Sequence, residues 1–512
     1  MFMENTMLVW ILLSPILAAI VILFLPEKNK KLLRLVALGA SLIPLIFSII
    51  VWVQFDPSKT GFQFEFIAPW FQAIHSNFHF GIDGISLPMV LLTTILTPLA
   101  IWASFSVKEN VKAFMALFLF LETGALGVFI SLDLLVFFLF WEIGLVPMYF
   151  LINQWGGNNR NYAALKFILI TMGGSLGLLL SIQIIGLTTG TFNLIEIYQL
   201  WPNLSLAGMQ KILPFGLSLD VVKTIAFWAF VVAFAVKVPI WPVHTWLPDA
   251  HTEAPTAGSM ILAGVLLKLG AYGFIRLVIP LFPQQAQQFA TVLAILATAA
   301  IIFGALSAFG QRDLKRLVAY SSINHMGFVV LGIAAMAYVG NSAEGALSQS
   351  ATIAMNGAIL QMFNHGLSSA GMFFLVGVIY DRAHTRQLDE LGGLWAVLPK
   401  YGSIFVFMSM ASLGLPGLNG FVSEFLIVRG AWHIFPLATA LGMIGLFFTG
   451  AYVLKAIAGL LHGPRNERWI NLSEMNLREI AIAAPLMVLI LSIGIWPSWI
   501  LDMINRAVSL FF

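Results

Sequence analysis

The chain contains no cysteine. That excludes disulfides, and it excludes thiolate-held iron–sulfur, haem and zinc sites within it. Charge is nearly as scarce: Asp, Glu, Lys and Arg make up 10% of 512 residues, against about 25% in an ordinary soluble domain. The net charge of +3 is small, and the basic residues are scattered among short loops. Neither feature suits a nucleic-acid partner. There is no phosphate-binding G-x-x-x-x-G-K-[ST] loop and no dinucleotide fingerprint. No basic stretch precedes the first apolar segment, Met7 to Leu25. It therefore reads as a retained span and not as a cleaved leader.

What is present is apolar side chain: 60% of the residues, with a mean hydropathy of +0.93. Such a chain needs the lipid bilayer as its solvent, and each crossing takes about 20 apolar residues. Apolar runs between charged breaks give about fourteen spans, near 7–25, 32–53, 84–105, 112–131, 133–152, 162–186, 220–246, 254–279, 288–309, 314–337, 350–380, 400–430, 436–461 and 478–500. The expected fold is all-α and polytopic, with only short connections near 54–80 and 187–219. With the amino terminus outside, sixteen of the 26 lysines and arginines fall at cytoplasmic ends, Arg312, Lys315, Arg316 and Arg465 among them. Four, Lys59, Lys211, Arg429 and Arg506, fall outside. This bias places both termini on the outer side.

Some charges lie inside the apolar runs: Glu122, Glu142, Lys166, Lys237, Lys268, Glu424 and Lys455, with His251, His325 and His365 as titratable companions. A charge at the centre of a lone span costs about 2.5–3.5 kcal/mol. Local pairing for helix packing is one explanation, and snorkelling is another for Lys166 and Arg276, near span ends. A proton path is the third. Prolines favour it. In "FAVKVPIWPVHTWLPDAHTEAPT", Pro239 and Pro242 cannot donate to the carbonyls of Ala235 and Val238, beside Lys237. In "SLGLPGLNGFVSEF", Pro416, Gly417 and Gly420 precede Glu424, and Pro147 follows Glu142 in "FWEIGLVPMYF". Broken helices at matching places in two halves mark ion sites between inverted repeats. The expected division is 1–110, three amino-terminal spans; 111–280, a first unit of spans four to eight, broken in seven; 281–462, an inverted unit of spans nine to thirteen, broken in twelve; and 463–512, a final span. His244, Asp249, His251 and Glu253 admit a metal-ligand reading, but at a span end solvated loop residues are the simpler one. His325 and His365 admit haem ligation, but the polar, glycine-rich "SSINHMGF" and "QMFNHGLSSAGMFF" suit relay histidines better.

The segments "FWEIGLVPMYFLI", "KVPIWPVHTWLPDAHTEAPTAGS", "LLKLGAYG", "DLKRLVAYSSINHMGF", "NHGLSSAGMFFL" and "LGLPGLNGFVSEF" resemble the antiporter-like membrane subunits of respiratory complex I, the proton-pumping NADH:quinone oxidoreductases. The resemblance covers essentially the whole chain. It implies fourteen helices and one proton channel among several. It also implies that Glu142 and Lys237 form an input pair, that Lys268 links two half-channels, that His325 and His365 lie between the halves, and that Glu424 is the terminal site. Glu122 matches a further acid, and Lys455 is expected to be a structural charge. NADH, FMN, iron–sulfur clusters and quinone are then expected in partner subunits, with no cofactor or metal in this chain. The implied neighbours are two similar antiporter-like subunits and the lipids of a bacterial inner membrane. The alternatives are a multisubunit Na⁺/H⁺ antiporter, a related membrane-bound hydrogenase or dehydrogenase, and a non-pumping homologue. Glu424 weighs against the antiporter, because sibling subunits generally carry lysine there.

Overall fold

The computed structural model describes residues 6–204, 217–340, 345–464 and 466–511. Lys211 and Arg465, used above to orient the chain, lie outside the described residues. Among those described, thirteen helices are long and apolar enough to cross a membrane. The remaining expected span, span twelve, is divided between Pro399–Leu413 and Asn419–Trp432, each too short to cross alone. The architecture is therefore that of a polytopic all-α membrane protein.

The order of burial explains where charge can sit. Spans eight (Thr256–Leu281), ten (Leu314–Val339) and eleven (Ala346–Ala383) are buried along nearly their whole apolar length. Spans one (Met7–Phe24), two (Lys30–Gln54), six (Arg160–Thr189), thirteen (Pro436–Leu461) and fourteen (Leu477–Ile495) turn most of their apolar side chains outward. Leu169, Leu180, Phe447 and Ile495 are typical of that outer surface. Apolar residues thus cover the outer surface, and the polar side chains of the central spans face one another.

Two parts depart from the sequence reading. The 54–80 connection is not plain loop. It contains an antiparallel hairpin, β1 (Gln63–Phe71) and β2 (Ser76–Ile82), with Phe66 opposite Phe80. The hairpin is anchored from the start of span five, where Asp133 accepts from Ser76 Oγ at 3.0 Å and from the Asn77 amide at 3.0 Å. The second departure is a helix after span fourteen, Ser498–Phe511, whose Ile500, Ile504 and Val508 are buried. Their four-residue spacing is that of one helix face.

Candidate functional site

Local backbone chemistry sets the two major interruptions. Span seven runs from Leu219 to Lys237 and resumes as a helix at Trp246–Glu253. Pro239 leaves the Ala235 carbonyl without its usual donor, and the Ile240 amide takes it at 2.8 Å. The Trp246 indole donates to the Val236 carbonyl at 2.9 Å. Protein groups therefore satisfy backbone that would be costly in lipid. In span twelve the helix stops at Leu413, because Gly414 turns left-handed at φ +83° and Gly417 at +93°. Glycine adopts this backbone without the Cβ penalty. Span five is interrupted as well, at Gly144, between Leu134–Ile143 and Leu145–Trp155.

The second half of the expected path is brought together. Spans eight and eleven cross so closely that a Cβ on Gly366 would lie 2.9 Å from the Gly264 carbonyl oxygen. That approach sets Lys268 against His365. Lys268, 0% exposed, donates to the Ala263 carbonyl at 2.5 Å. Its Nζ lies 2.7 Å from His365 Nδ1. The Ala263 carbonyl belongs to a π-helical turn, Leu262–Leu266, and such bulges recur at functional sites. The His365 and His325 rings are 5.6 Å apart between centroids. His325 Nδ1 lies 2.8 Å from Glu424 Oε1, and its Nε2 lies 3.3 Å from both Ser412 Oγ and Tyr452 Oη. Lys268, His365, His325 and Glu424 thus form a short buried series of titratable groups.

The first half is not closed in the same way. Lys237 is 2% exposed and its Nζ has no hydrogen-bond partner. No ion pair joins it to Glu142; the Lys237 ammonium instead stands over the Trp141 ring, 4.5 Å from its centroid. The Trp141 indole is fixed by donation to Ser175 Oγ at 3.0 Å. Glu142 Oε1 is buried without a partner, and so are both carboxylate oxygens of Glu122. Glu142 and Lys237 therefore interact through their charges without a contact ion pair.

Other candidates separate cleanly. Lys166 does not snorkel free: its Nζ meets Asp249 Oδ2 at 2.6 Å, and Arg316 reaches Asp249 Oδ1 at 3.5 Å. Arg276 does not snorkel either. It is 0% exposed and pairs with Asp83 Oδ1 at 2.6 Å. Asp83, at the start of span three, is close enough to hold the guanidinium inside the protein. Lys455 donates to the Phe309 and Gln311 carbonyls at 2.6 and 2.8 Å, closing the end of span nine. No group of three or more His, Cys, Asp or Glu suited to a metal occurs among the described residues. His251 is no solvated loop residue, since it is 0% exposed and stacks on Phe373 at 4.4 Å. Asp249 is taken by cations and Glu253 Oε2 accepts from the Asn159 amide at 2.9 Å. Sequence reasoning missed the neutral polar residues around Glu424, especially Gln361, whose Nε2 donates to Glu424 Oε1 at 3.0 Å. Its signal was visible in "QMFNHG", where Gln361, Asn364 and His365 share one helix face.

Residues 131–449 match the family model described as NADH:quinone oxidoreductase/Mrp antiporter, TM. Residues 7–130 match the one described as NADH-ubiquinone oxidoreductase chain 4, amino terminus. The chain is 41% identical over 485 residues to NADH-quinone oxidoreductase subunit M of Rhodobacter capsulatus, covering 94% of this chain and 90% of the relative. It is 39% identical over 503 residues to NADH-ubiquinone oxidoreductase chain 4 of Arabidopsis thaliana, covering 98% and 95%. Among solved structures it superposes on a chain of respiratory complex I from Thermus thermophilus with bound NADH, with a TM-score of 0.84, 26% identity and 99% and 100% coverage. A chain of the Mrp complex from Dietzia sp. DQ12-45-1b gives a TM-score of 0.81 at 20% identity, with 99% and 97% coverage, and shares the fold.

Proposed function

The chain belongs to the antiporter-like membrane subunits of NADH-quinone oxidoreductase, and from that premise we propose that protons cross it by way of Lys237, Lys268, His365, His325 and Glu424. It is a proton-translocating membrane subunit of complex I, coupling quinone reduction elsewhere in the complex to proton transport. The observation that carries the proposed route is the buried series from Lys268 through His365 and His325 to Glu424. Each member can both hold and release a proton. Glu142 and Glu122 serve the entry side, where the open arrangement around Lys237 suits a group whose partner comes and goes.

Spans four to eight and nine to thirteen are read as two inverted five-helix units, with 1–110 and 463–512 flanking them. The ends bearing Arg312, Lys315 and Arg316 face the cytoplasm, and both termini lie on the periplasmic side of a bacterial inner membrane. The translocase chemistry here is proton movement alone; NADH, FMN, iron–sulfur clusters and quinone belong to partner subunits. Two similar antiporter-like subunits flank this one. Glu424, where lysine would suit the sodium/proton exchangers, favours this reading over the antiporter.

The test is acid against amide at the terminal site. Glu424→Asp should retain substantial pumping in the assembled, reconstituted complex, and Glu424→Gln should lose it. Equal pumping by both variants would return Glu424 to a packing role.

A further inference from the structure

Glu424 is held by a hydrogen-bond relay whose direction follows from its far end. The backbone carbonyl of Asn419 can only accept, so Asn364 Nδ2, 2.7 Å away, is the donating end of its amide. The second hydrogen of that nitrogen points to Ser423 Oγ at 2.9 Å. Having accepted there, the hydroxyl sends its own hydrogen to Gln361 Oε1 at 2.5 Å. The Gln361 amide is thereby oriented, and Nε2 faces Glu424 Oε1 at 3.0 Å. A turned amide would set oxygen against oxygen at the glutamate and leave Ser423 facing a donor. All five side chains are between 0% and 4% exposed, so solvent does not compete for these bonds.

We propose that Gln361 is a positioning residue for proton transfer: it holds the Glu424 carboxylate toward His325 with a donor that the relay, anchored at the helix break, keeps from turning. The proposal rests on reading Glu424 as a proton site and says what keeps that site in register. Glu424 Oε1 meets two nitrogens, His325 Nδ1 at 2.8 Å and Gln361 Nε2 at 3.0 Å. The imidazole proton can leave and return, whereas the amide hydrogen cannot. Gln361 therefore keeps the carboxylate in place through a cycle in which His325 changes charge. Asn419 is the first residue of the helix after the break, so movement of the break is transmitted to the carboxylate through Asn364 and Ser423.

The test uses the whole complex, purified and reconstituted, with Gln361→Leu, Gln361→Glu and Ser423→Ala. A hydrogen bond to a charged group is strong enough that its loss should lower pumping and quinone reduction by roughly tenfold in Gln361→Leu. Gln361→Glu keeps the volume but sets one acid against another, so it should be at least as slow. Ser423→Ala frees the amide to turn and should fall between these and the native complex. The specific readout is infrared: the carboxylate bands that Glu424→Gln removes should shift in each variant. A packing role for Gln361 predicts an active Gln361→Glu complex with those bands unmoved, and that result overturns the proposal. If Gln361→Leu fails to assemble, the isosteric Gln361→Glu decides by the same bands. Full activity of Glu424→Gln would instead remove the proton-site reading beneath the relay, and the relay's role with it.

Discussion

Lys237→Met offers the sharpest separation between proton transfer and packing. The native ammonium is 2% exposed, without a hydrogen bond or an ion pair, over the face of Trp141 at 4.5 Å. A cation on an aromatic face is worth about 2 kcal/mol when desolvated. Burying an ammonium without a well-bonded partner costs several kcal/mol, so the ring and the nearby Glu142 charge offset only part of the penalty. Methionine has nearly the same reach, can pack on the Trp141 ring and carries no charge. The assembled complex carrying Lys237→Met should therefore melt no lower than the native one, and by this balance about 1 kcal/mol or more in its favour. Its proton pumping should be lost, and quinone reduction should slow with it. Lys237→Arg should also be poor, because a guanidinium stays protonated and cannot release. Native gels, thermal unfolding, quinone reductase rate and dye-reported proton uptake in proteoliposomes give the four readings. A Lys237→Arg complex with native pumping, beside a Lys237→Met complex that fails to assemble, would show that Lys237 is a structural charge.

Three further outcomes follow from the geometry. Arg276→Met should leave Asp83 uncompensated and destabilise the complex by about 3 kcal/mol, and adding Asp83→Asn should recover most of that loss in thermal unfolding. Gly414→Ala should lower the melting temperature through about 1–2 kcal/mol of backbone strain, and should also slow pumping, because the new Cβ would lie 3.1 Å from Glu424 Oε2. Single cysteines in this cysteine-free chain should report topology: Arg312→Cys should label only from the cytoplasm and Lys59→Cys only from outside, and the reverse pattern would overturn the orientation.

The membrane fold was legible because its signals are additive. Long apolar runs and charged interruptions recur over the whole chain, and errors of a few residues do not change the count of crossings. The breaks were legible for a different reason: Pro239, Pro242, Pro416 and Gly417 act through their own covalent structure and need no tertiary context, although the helix end at Gly414 was found only in the structure. Contacts between spans were only partly legible. Nothing in local pattern says that Gly264 and Gly366 cross, and it is that crossing which seats Lys268 on His365. The family resemblance paired Glu142 with Lys237, and the two charges do interact without a contact ion pair; what it did not give is the Trp141 ring under the cation, because an aromatic residue in an apolar run carries no sign that it will sit there. The hairpin escaped notice because apolar aromatics such as Phe66 and Phe80 are as common in helices of such a chain as in strands. His251 and Arg276 were misplaced because nearness to a span end was taken for nearness to water, while Phe373 and Asp83 close over them.

The central claim is that protons pass through the buried series beginning at Lys268, and one measurement addresses it most directly. The complex carrying Lys268→Met should be purified, reconstituted and followed for proton uptake during NADH-driven quinone reduction, with electron transfer to a soluble acceptor as the control for intact redox subunits. Methionine keeps the length of the side chain but cannot carry a proton to His365. The expected result is normal assembly and normal electron transfer to the soluble acceptor, with proton uptake abolished and quinone reduction slowed. Native proton uptake per quinone reduced in the Lys268→Met complex would contradict the account.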